Sequence, residues 1–346
     1  MKSGNKLWST MVDYFLILGA IIGVGFASGK EICVFFFDFG GSSLLGLTAF
    51  GLLYVYLFFI IQYISKKLEL NSYNEFNTVI FGRLCKISNV VMLINFAITS
   101  AGMLAGADYL FQTFFGIGYK IPSIILSVVT LFLLIGGIDR IKFVANLIIP
   151  IMIAVIVINS IKNITPQNVN LEITAGNAHM AVYYGLLFGV NNFVAAMPVL
   201  FETKQKSKTK AFVILSICII ILLNILVFAS KSFTTDMPMF ELSANVSKSF
   251  YYIYFSTLIL ALFSTLMICS FNMMKIIGKE KKSFFLALVV VIFNLILSNC
   301  GYAFIVKYLY VVSGIVSGIY VILLIIFITI KLIKNKINFK INNKNK

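Results

Sequence analysis

The sequence predicts an all-α integral membrane protein with ten transmembrane helices, arranged as two groups of five. Composition, ten apolar stretches and interruption signals at matching positions of the two groups predict this fold. Hydrophobic residues make up 60% of the 346 residues and charged residues 12%, against about 45–50% and about 25% in ordinary globular chains. Such a chain cannot cover itself with polar surface in water, which excludes a secreted domain, a cytosolic enzyme and a disordered protein.

The distribution of charge, the cysteine spacing and the motifs argue against other classes of protein. The net charge of +16 does not indicate a nucleic-acid-binding protein, because the Lys and Arg residues lie between apolar runs. The five Cys residues are scattered without a CxxC spacing, which favours small core residues over a disulfide framework or a metal site. We find no phosphate-binding glycine loop, no nucleophile elbow and no metal-ligand cluster, so we expect neither enzymatic activity nor a cofactor.

Ten apolar stretches are long enough to cross a bilayer, which takes about 20 residues. We place the spans at 11–38, 43–65, 87–115, 121–138, 141–162, 178–201, 210–231, 249–277, 283–299 and 302–333. No soluble domain separates them. We therefore expect a single membrane domain over 1–346, with a first five-helix repeat over 11–162, a second over 178–333 and a basic cytoplasmic tail over 334–346.

The basic residues predict the orientation. With the N-terminus inside, 22 of the 28 Lys and Arg residues fall in cytoplasmic segments and five fall outside, while Lys30 stays within the first span. This bias satisfies the positive-inside rule, and it supports ten spans because one more or one fewer would scramble the alternation. We expect a multi-pass protein of the cell membrane with both termini in the cytoplasm.

The first and sixth spans each contain an interruption signal. Four glycines lie between Gly19 and Gly29, and the sixth span carries Gly185 and Gly189 followed by two adjacent Asn residues. Each glycine costs a helix about 1 kcal/mol relative to Ala, and Asn at bilayer depth is costly unless it faces a cavity or partners. Close helix packing through small residues is the alternative interpretation of the glycines.

Because five is odd, the second group of helices starts from the opposite side of the membrane, which makes an inverted-topology repeat. Secondary transporters use such repeats, and their interrupted helices mark the binding site. Freed N–H and C=O groups suit a compound that carries both a carboxylate and an ammonium, as a small amino acid or related zwitterion does. The predicted substrate-binding residues are Gly23, Val24, Gly25, Gly189, Val190, Asn191 and Asn192.

The stretch Gly23-Val24-Gly25-Phe26-Ala27-Ser28-Gly29-Lys30-Glu31-Ile32, followed by Phe35-Phe36, resembles the signature of YkvI-like membrane proteins. These are amino acid permeases of the amino acid–polyamine–organocation superfamily, and the resemblance is tight over about residues 13–45. It implies the LeuT-type fold with five plus five spans. Gln usually stands where this chain has Lys30, and a fixed cation there could replace a coupling ion or demand a different substrate.

The resemblance also implies a sodium site. Sodium-coupled relatives hold one ion between carbonyls of the first span, here those of Gly19 and Ile22, and an oxygen pattern on the eighth. The matching pattern in this chain is Ala261, Ser264 and Thr265, which share one helical face. The alternative is that both hydroxyls bond back to their own helix. A second sodium site of those relatives uses an Asn where this chain has Phe26, so we expect none.

Charged residues lie close to the hydrophobic interior, where they are rare and usually functional. We predict that Lys30 pairs with Asp108 to form an outer gate, and that Glu31 is a proton-responsive group. The alternative is that Lys30 and Glu31 neutralise each other, with Asp108 at the membrane interface.

These features favour a secondary transporter that moves a small amino acid or related zwitterion by alternating access. No ATP-binding motif is present, so an ion gradient would drive transport, with sodium preferred over protons. The alternative is a ligand-sensing receptor subunit on the same scaffold, because the superfamily includes spore germinant-receptor subunits. The expected partners are the lipid bilayer and an amino acid-like small molecule, without nucleic acid.

Overall fold

A computed structural model describes residues 2–116, 120–136, 138–165, 175–201, 203, 207–229, 235–278 and 284–344. Within these ranges the protein is all-helical and has no β-strand. The first span consists of three pieces, α1 (Lys2–Ile21), α2 (Val24–Ala27) and α3 (Lys30–Phe35). A 3₁₀ segment, Phe37–Ser42, then leads into the next long helix.

The other helices follow in chain order, and two of them, Tyr73–Phe81 and Pro238–Val246, lie between the predicted spans. The helices are α4 (Ser43–Lys67), α5 (Tyr73–Phe81), α6 (Cys85–Phe115), α7 (Ile121–Gly136), α8 (Ile138–Asn163), α9 (Ala175–Phe201), α10 (Ser207–Ala229), α11 (Pro238–Val246), α12 (Lys248–Gly278), α13 (Phe284–Leu297), α14 (Tyr302–Phe304) and α15 (Tyr310–Lys344). A π-helical turn, Ile305–Leu309, joins α14 to α15. The predicted tail over 334–346 is part of α15 as far as Lys344.

Seven helical segments of the described chain are long and apolar enough to cross a membrane. They are Phe39–Lys67, Tyr73–Phe115, Arg140–Asn163, Asn177–Phe201, Thr209–Ala229, Lys248–Ile277 and Tyr302–Ile333. Three shorter apolar helices, Thr10–Ile21, Ile121–Gly136 and Phe284–Cys300, occupy the positions of the predicted first, fourth and ninth spans. Within the described residues every predicted span contains helix, and seven of the ten coincide with a segment long enough for a full crossing.

Large apolar side chains cover the outside of the helix bundle. Leu52, Phe143 and Phe285 are 72%, 73% and 73% exposed. Hydrocarbon is the solvent that such a surface fits, whereas the surface of a soluble monomer rarely carries a large contiguous apolar patch. The exposed surface therefore agrees with the composition in indicating a membrane protein.

Local capping interactions mark the start of α5 and the end of α6. Ser72 caps α5, because its side chain accepts a hydrogen bond of 3.2 Å from the Glu75 amide, while the Glu75 carboxylate accepts from the Asn71 amide at 2.9 Å. Gly116 ends α6 with a φ of 70°, a left-handed conformation that glycine adopts without strain.

The predicted break in the sixth span is wrong, because α9 is continuous from Ala175 to Phe201. Its Gly185 lies against the backbone of Gly46, where a Cβ on Gly185 would be 2.7 Å from the Gly46 Cα. These two glycines let α9 and α4 approach closely, which is the packing role of small residues in membrane helices.

The two Asn residues of α9 are satisfied without unwinding the helix. The Asn191 Oδ1 accepts hydrogen bonds from the Asn95 Nδ2 at 2.7 Å and from the Ser313 Oγ at 2.9 Å. The Asn192 Nδ2 donates to the Phe188 carbonyl of its own helix at 3.1 Å. Because neighbouring helices supply partners, polar groups at this depth do not require a cavity.

Candidate functional site

The first span is interrupted at two points. Ile22 and Gly23 separate α1 from α2, and Ser28 and Gly29 separate α2 from α3. Gly29 has a φ of 82°, which a glycine adopts without steric cost. The predicted interruption at Gly23 is thus confirmed, whereas Gly25 lies within the single helical turn of α2 and is not unwound. The side chain of Val24 lies outside the described part of the protein.

Neighbouring helices hold the second interruption in place. The Tyr254 hydroxyl of α12 donates to the Ala27 carbonyl at 2.6 Å, and the Met239 amide of α11 donates to the Ser28 carbonyl at 3.0 Å. The Ser28 and Tyr302 hydroxyls lie 2.9 Å apart. Carbonyls freed by the break are therefore occupied by protein donors, and α11 is docked over this end of the broken span.

The first interruption lies beside α12 at a residue predicted for the sodium site. A Cβ placed on Gly23 would lie 3.5 Å from Cγ2 and 3.6 Å from Oγ1 of Thr265. Thr265 is buried, and its hydroxyl has no hydrogen-bond partner among the described residues. An unpaired hydroxyl at a helix break is available to a ligand or an ion.

The other residues predicted for the sodium site have contacts elsewhere in the protein. The Ser264 Oγ donates to the Ala261 carbonyl of its own helix at 3.0 Å, which is the alternative interpretation given above for these hydroxyls. Gly19 lies against Ile149 of α8, whose side chain a Cβ on Gly19 would overlap. Ile22 is fully buried just after the end of α1. Of the two hydroxyls in the set, that of Thr265 is the one without a partner in the described chain.

The predicted pair between Lys30 and Asp108 is wrong. The Lys30 Nζ lies 2.5 Å from the Asp236 Oδ1 instead. Asp236 lies two residues before α11, and the docking of α11 over Ser28 brings this carboxylate to the start of α3.

Asp108 faces the beginning of α7. Its Oδ2 lies 3.0 Å from the Lys120 Nζ, and its Oδ1 accepts a hydrogen bond of 3.0 Å from the Ser123 amide. A carboxylate at the first turn of a helix also gains from the helix dipole. These local partners on α7 explain why Asp108 does not reach Lys30.

Glu31 is buried and has no charged partner. Its side chain is 5% exposed, and its Oε2 has no hydrogen-bond partner among the described residues. The Glu31 side chain folds back against Gly25 of α2. A Cβ at Gly25 would collide with the Glu31 carboxyl group. Neutralisation by Lys30, the alternative considered from the sequence, does not occur, since that ammonium is held by Asp236.

Three tyrosines lie on helices near the broken span, namely Tyr54 on α4, Tyr302 on α14 and Tyr310 of α15, and the Tyr302 hydroxyl lies beside Ser28. The hydroxyls of Tyr54 and Tyr310 are buried without a hydrogen-bond partner in the described chain. Sequence reasoning missed these residues and Asp236. The one available signal was the pair of Tyr residues, 302 and 310, in the same predicted span.

The predicted residues of α9 contribute packing and reach the broken span indirectly. A Cβ on Gly189 would contact side chains of α4, including that of Leu53 at 3.0 Å. Val190 is buried near Gly318 of α15. Their neighbour Phe188 does meet the first span, with its ring 6.5 Å from that of Phe26.

The described residues contain no group of three or more His, Cys, Asp or Glu side chains that could hold a metal ion. The free polar atoms of the site are instead a carboxylate oxygen of Glu31 and hydroxyls of Thr265, Tyr54 and Tyr310. These groups suit a monovalent cation or an organic ammonium better than a transition metal.

Two curated proteins of Bacillus subtilis (strain 168) resemble part of the chain. The uncharacterized membrane protein YkvI is 32% identical over 140 residues, which is 40% of each protein. The uncharacterized protein YyaD is 29% identical over 154 residues, which is 43% of each. The matched region spans less than half the length of these relatives. No family model matches the chain. The match to a membrane protein and the seven long apolar helices support a multi-pass membrane protein.

Proposed function

We propose that this protein is a secondary transporter that moves a small amino acid or related zwitterion by alternating access. The observation that carries the proposal is the doubly interrupted first span, which has the unpaired Thr265 hydroxyl at one break and the unpaired Glu31 carboxylate folded over α2. Unpaired polar groups buried beside a broken helix are costly in a membrane unless a ligand uses them.

The contacts at the second break correspond to a closed outer side. The Met239 amide and the Lys30–Asp236 pair connect the broken span to α11 and the residues before it. Opening requires these contacts to separate, so that α11 moves away from Ser28. In this proposal both termini are cytoplasmic, ten helices cross the cell membrane and no enzymatic step takes part.

The coupling ion in this proposal is sodium at Thr265. A hard cation prefers oxygen ligands, which the Thr265 hydroxyl and the backbone at Gly23 would supply. The buried Thr265 hydroxyl, which no described residue pairs, therefore supports a cation at this break.

Uptake into liposomes tests the proposal. Purified protein is reconstituted with potassium chloride inside, and uptake of a labelled amino acid mixture is followed under an inward sodium gradient, an inward proton gradient or neither. We expect accumulation above the external concentration under one gradient, and its collapse with the matching ionophore. Liposomes without protein are one control. A Gly23→Leu variant, whose side chain would enter the space before Thr265, is the other and should not accumulate substrate.

Binding without accumulation under either gradient would contradict transport. That result would favour the ligand-sensing receptor, which binds a nutrient without concentrating it.

A further inference from the structure

Glu31 is a buried carboxyl group for which the described protein supplies no positive partner. The nearest basic residue in sequence, Lys30, is engaged by Asp236 at 2.5 Å. Among the described residues, no Lys or Arg forms an ion pair with Glu31. A carboxylate that is 5% exposed and lacks a partner on Oε2 is expensive unless something else neutralises it.

The groups around Glu31 are brought together by an irregular helix. Tyr302 and Tyr310 are eight residues apart, and in a straight α-helix they would be about 80° apart around the axis. The π-helical turn Ile305–Leu309 lies between them and changes this rotation. The Tyr302 hydroxyl lies 2.9 Å from that of Ser28 in the broken span, and the π-helical turn itself contacts α3, the helix that carries Glu31. Single π-helical turns occur frequently at functional sites.

Tyr54 lies on α4. Its ring lies 4.4 Å from that of Phe50, which in turn lies 5.5 Å from the ring of Phe188. The Phe188 ring lies 5.6 Å from that of Phe35 on α3, so this aromatic cluster reaches the helix that carries Glu31. The hydroxyls of Tyr54 and Tyr310 are buried without a partner in the described chain.

This set of groups fits an organic ammonium. One carboxylate gives charge, the phenol oxygens can accept N–H donors, and aromatic rings attract cations at their faces. A divalent metal prefers six or more oxygen ligands that include several carboxylates, and the described residues contain no group of three or more His, Cys, Asp or Glu side chains. An ionised Glu31 would repel a carboxylate ligand.

We propose that Glu31 is the residue that binds the ammonium group of the transported compound, with the Tyr54 and Tyr310 hydroxyls beside it. The site therefore selects compounds with a protonated amine, and it accepts simple amines as well as amino acids. This inference rests on the proposed transport function and names the part of the substrate that is recognised.

Thermal unfolding of the purified protein in detergent tests this inference with matched compounds. The panel contains alanine, leucine and phenylalanine, the amines ethylamine, isopentylamine and phenethylamine, and the acids propionate, 4-methylpentanoate and 3-phenylpropionate. We expect the amino acid and the amine of at least one set to raise the unfolding temperature, and the acid of that set not to. A Glu31→Gln variant should bind the same amine at least about tenfold more weakly, because a charge-assisted hydrogen bond is lost.

Two further variants distinguish a loss of amine binding from a loss of folding. Glu241→Gln changes an exposed carboxylate of α11 and should respond to amines as the wild type does. Tyr310→Phe removes a hydroxyl that has no partner, so it should fold normally and bind the amine more weakly. If Glu31→Gln does not fold, Tyr310→Phe decides the question: unchanged amine binding in it overturns the inference.

The outcomes also separate the inference from the function on which it rests. Stabilisation by the acids alone, or amine binding that survives Glu31→Gln, overturns the role of Glu31 while leaving transport intact. Loss of proton-driven uptake in Glu31→Gln with unchanged amine binding would make Glu31 a proton carrier and likewise overturns the inference. A folded wild-type protein that no compound stabilises contradicts the proposed function as well.

Discussion

Lys30 and Asp236 form an ion pair, with 2.5 Å between Nζ and Oδ1, that joins the start of α3 to the residues just before α11. The pair lies near the hydrogen bond between the Met239 amide and the Ser28 carbonyl. Both contacts connect the broken first span to the same short helix. The pair therefore ties α3 to the residues before α11 and leaves Glu31 without its neighbouring cation.

A double-mutant cycle should detect this pair. We expect Lys30→Gln and Asp236→Asn to be coupled by about 0.5–1 kcal/mol in thermal unfolding, the range for a partly exposed ion pair. Lys30→Gln and Asp108→Asn should be additive, because Asp108 pairs with Lys120. Coupling in the second cycle instead of the first would support the pair predicted from the sequence and contradict the structure.

Gly25 should control the position of the Glu31 carboxylate. A methyl group there would collide with the Glu31 side chain, whose end can move aside. We therefore expect Gly25→Ala to remove the stabilisation by amines while the unfolding temperature without ligand changes little. Thermal unfolding with and without the amine measures both quantities.

Gly23→Ala is the matched control for this change. Its added methyl group would lie 3.5 Å from Thr265, an ordinary contact distance, so the response to amines should remain. Equal loss of that response in both variants would mean that the backbone of the broken span, and not Glu31, determines binding.

The helices and the first break could be predicted because their signals are local. Apolar stretches of about 20 residues predict spans, and the glycines around Gly23 predict the interruption that α1 and α2 show. The interpretation of the sixth span failed because the glycine and Asn signals have two physical explanations. Packing of Gly185 on Gly46 and hydrogen bonds from Asn95 to Asn191 decide between them, and both depend on distant residues.

The charge partners could not be predicted for a similar reason. Lys30 and Asp236 are separated by 206 residues and meet only because α11 folds back over the first span. The sequence indicated that Glu31 lies near the membrane interior. Whether the Lys30 ammonium neutralises Glu31 depends on which carboxylate Lys30 pairs with, and that carboxylate is distant in sequence.

The two Asn residues of α9 should differ in their effect on stability. Asn191→Leu removes the acceptor shared by Asn95 and Ser313, so we expect a loss of about 1 kcal/mol. Asn192→Leu removes only a bond to its own helix and should cost less. Thermal unfolding of both variants compares them. If both variants have similar stability and both lose ligand binding, Asn191 and Asn192 belong to the substrate site after all.

Thr265 should determine any response to sodium. Thr265→Val keeps the shape of the side chain and removes a buried hydroxyl without a protein partner, so stability in potassium chloride should be unchanged or higher. The rise in unfolding temperature that sodium chloride gives the wild type should be absent, because the cation loses a ligand. A titration with each salt at constant ionic strength measures the difference.

Ser264→Ala is the control for Thr265, because the Ser264 hydroxyl already donates to the Ala261 carbonyl. We expect this variant to keep the sodium response. A response that survives Thr265→Val contradicts a cation site at the first break. Loss in both variants would mean that Ser264 turns away from Ala261 when sodium binds, so that both hydroxyls face the ion. The comparison therefore tests the proposed cation site independently of the proposed role of Glu31.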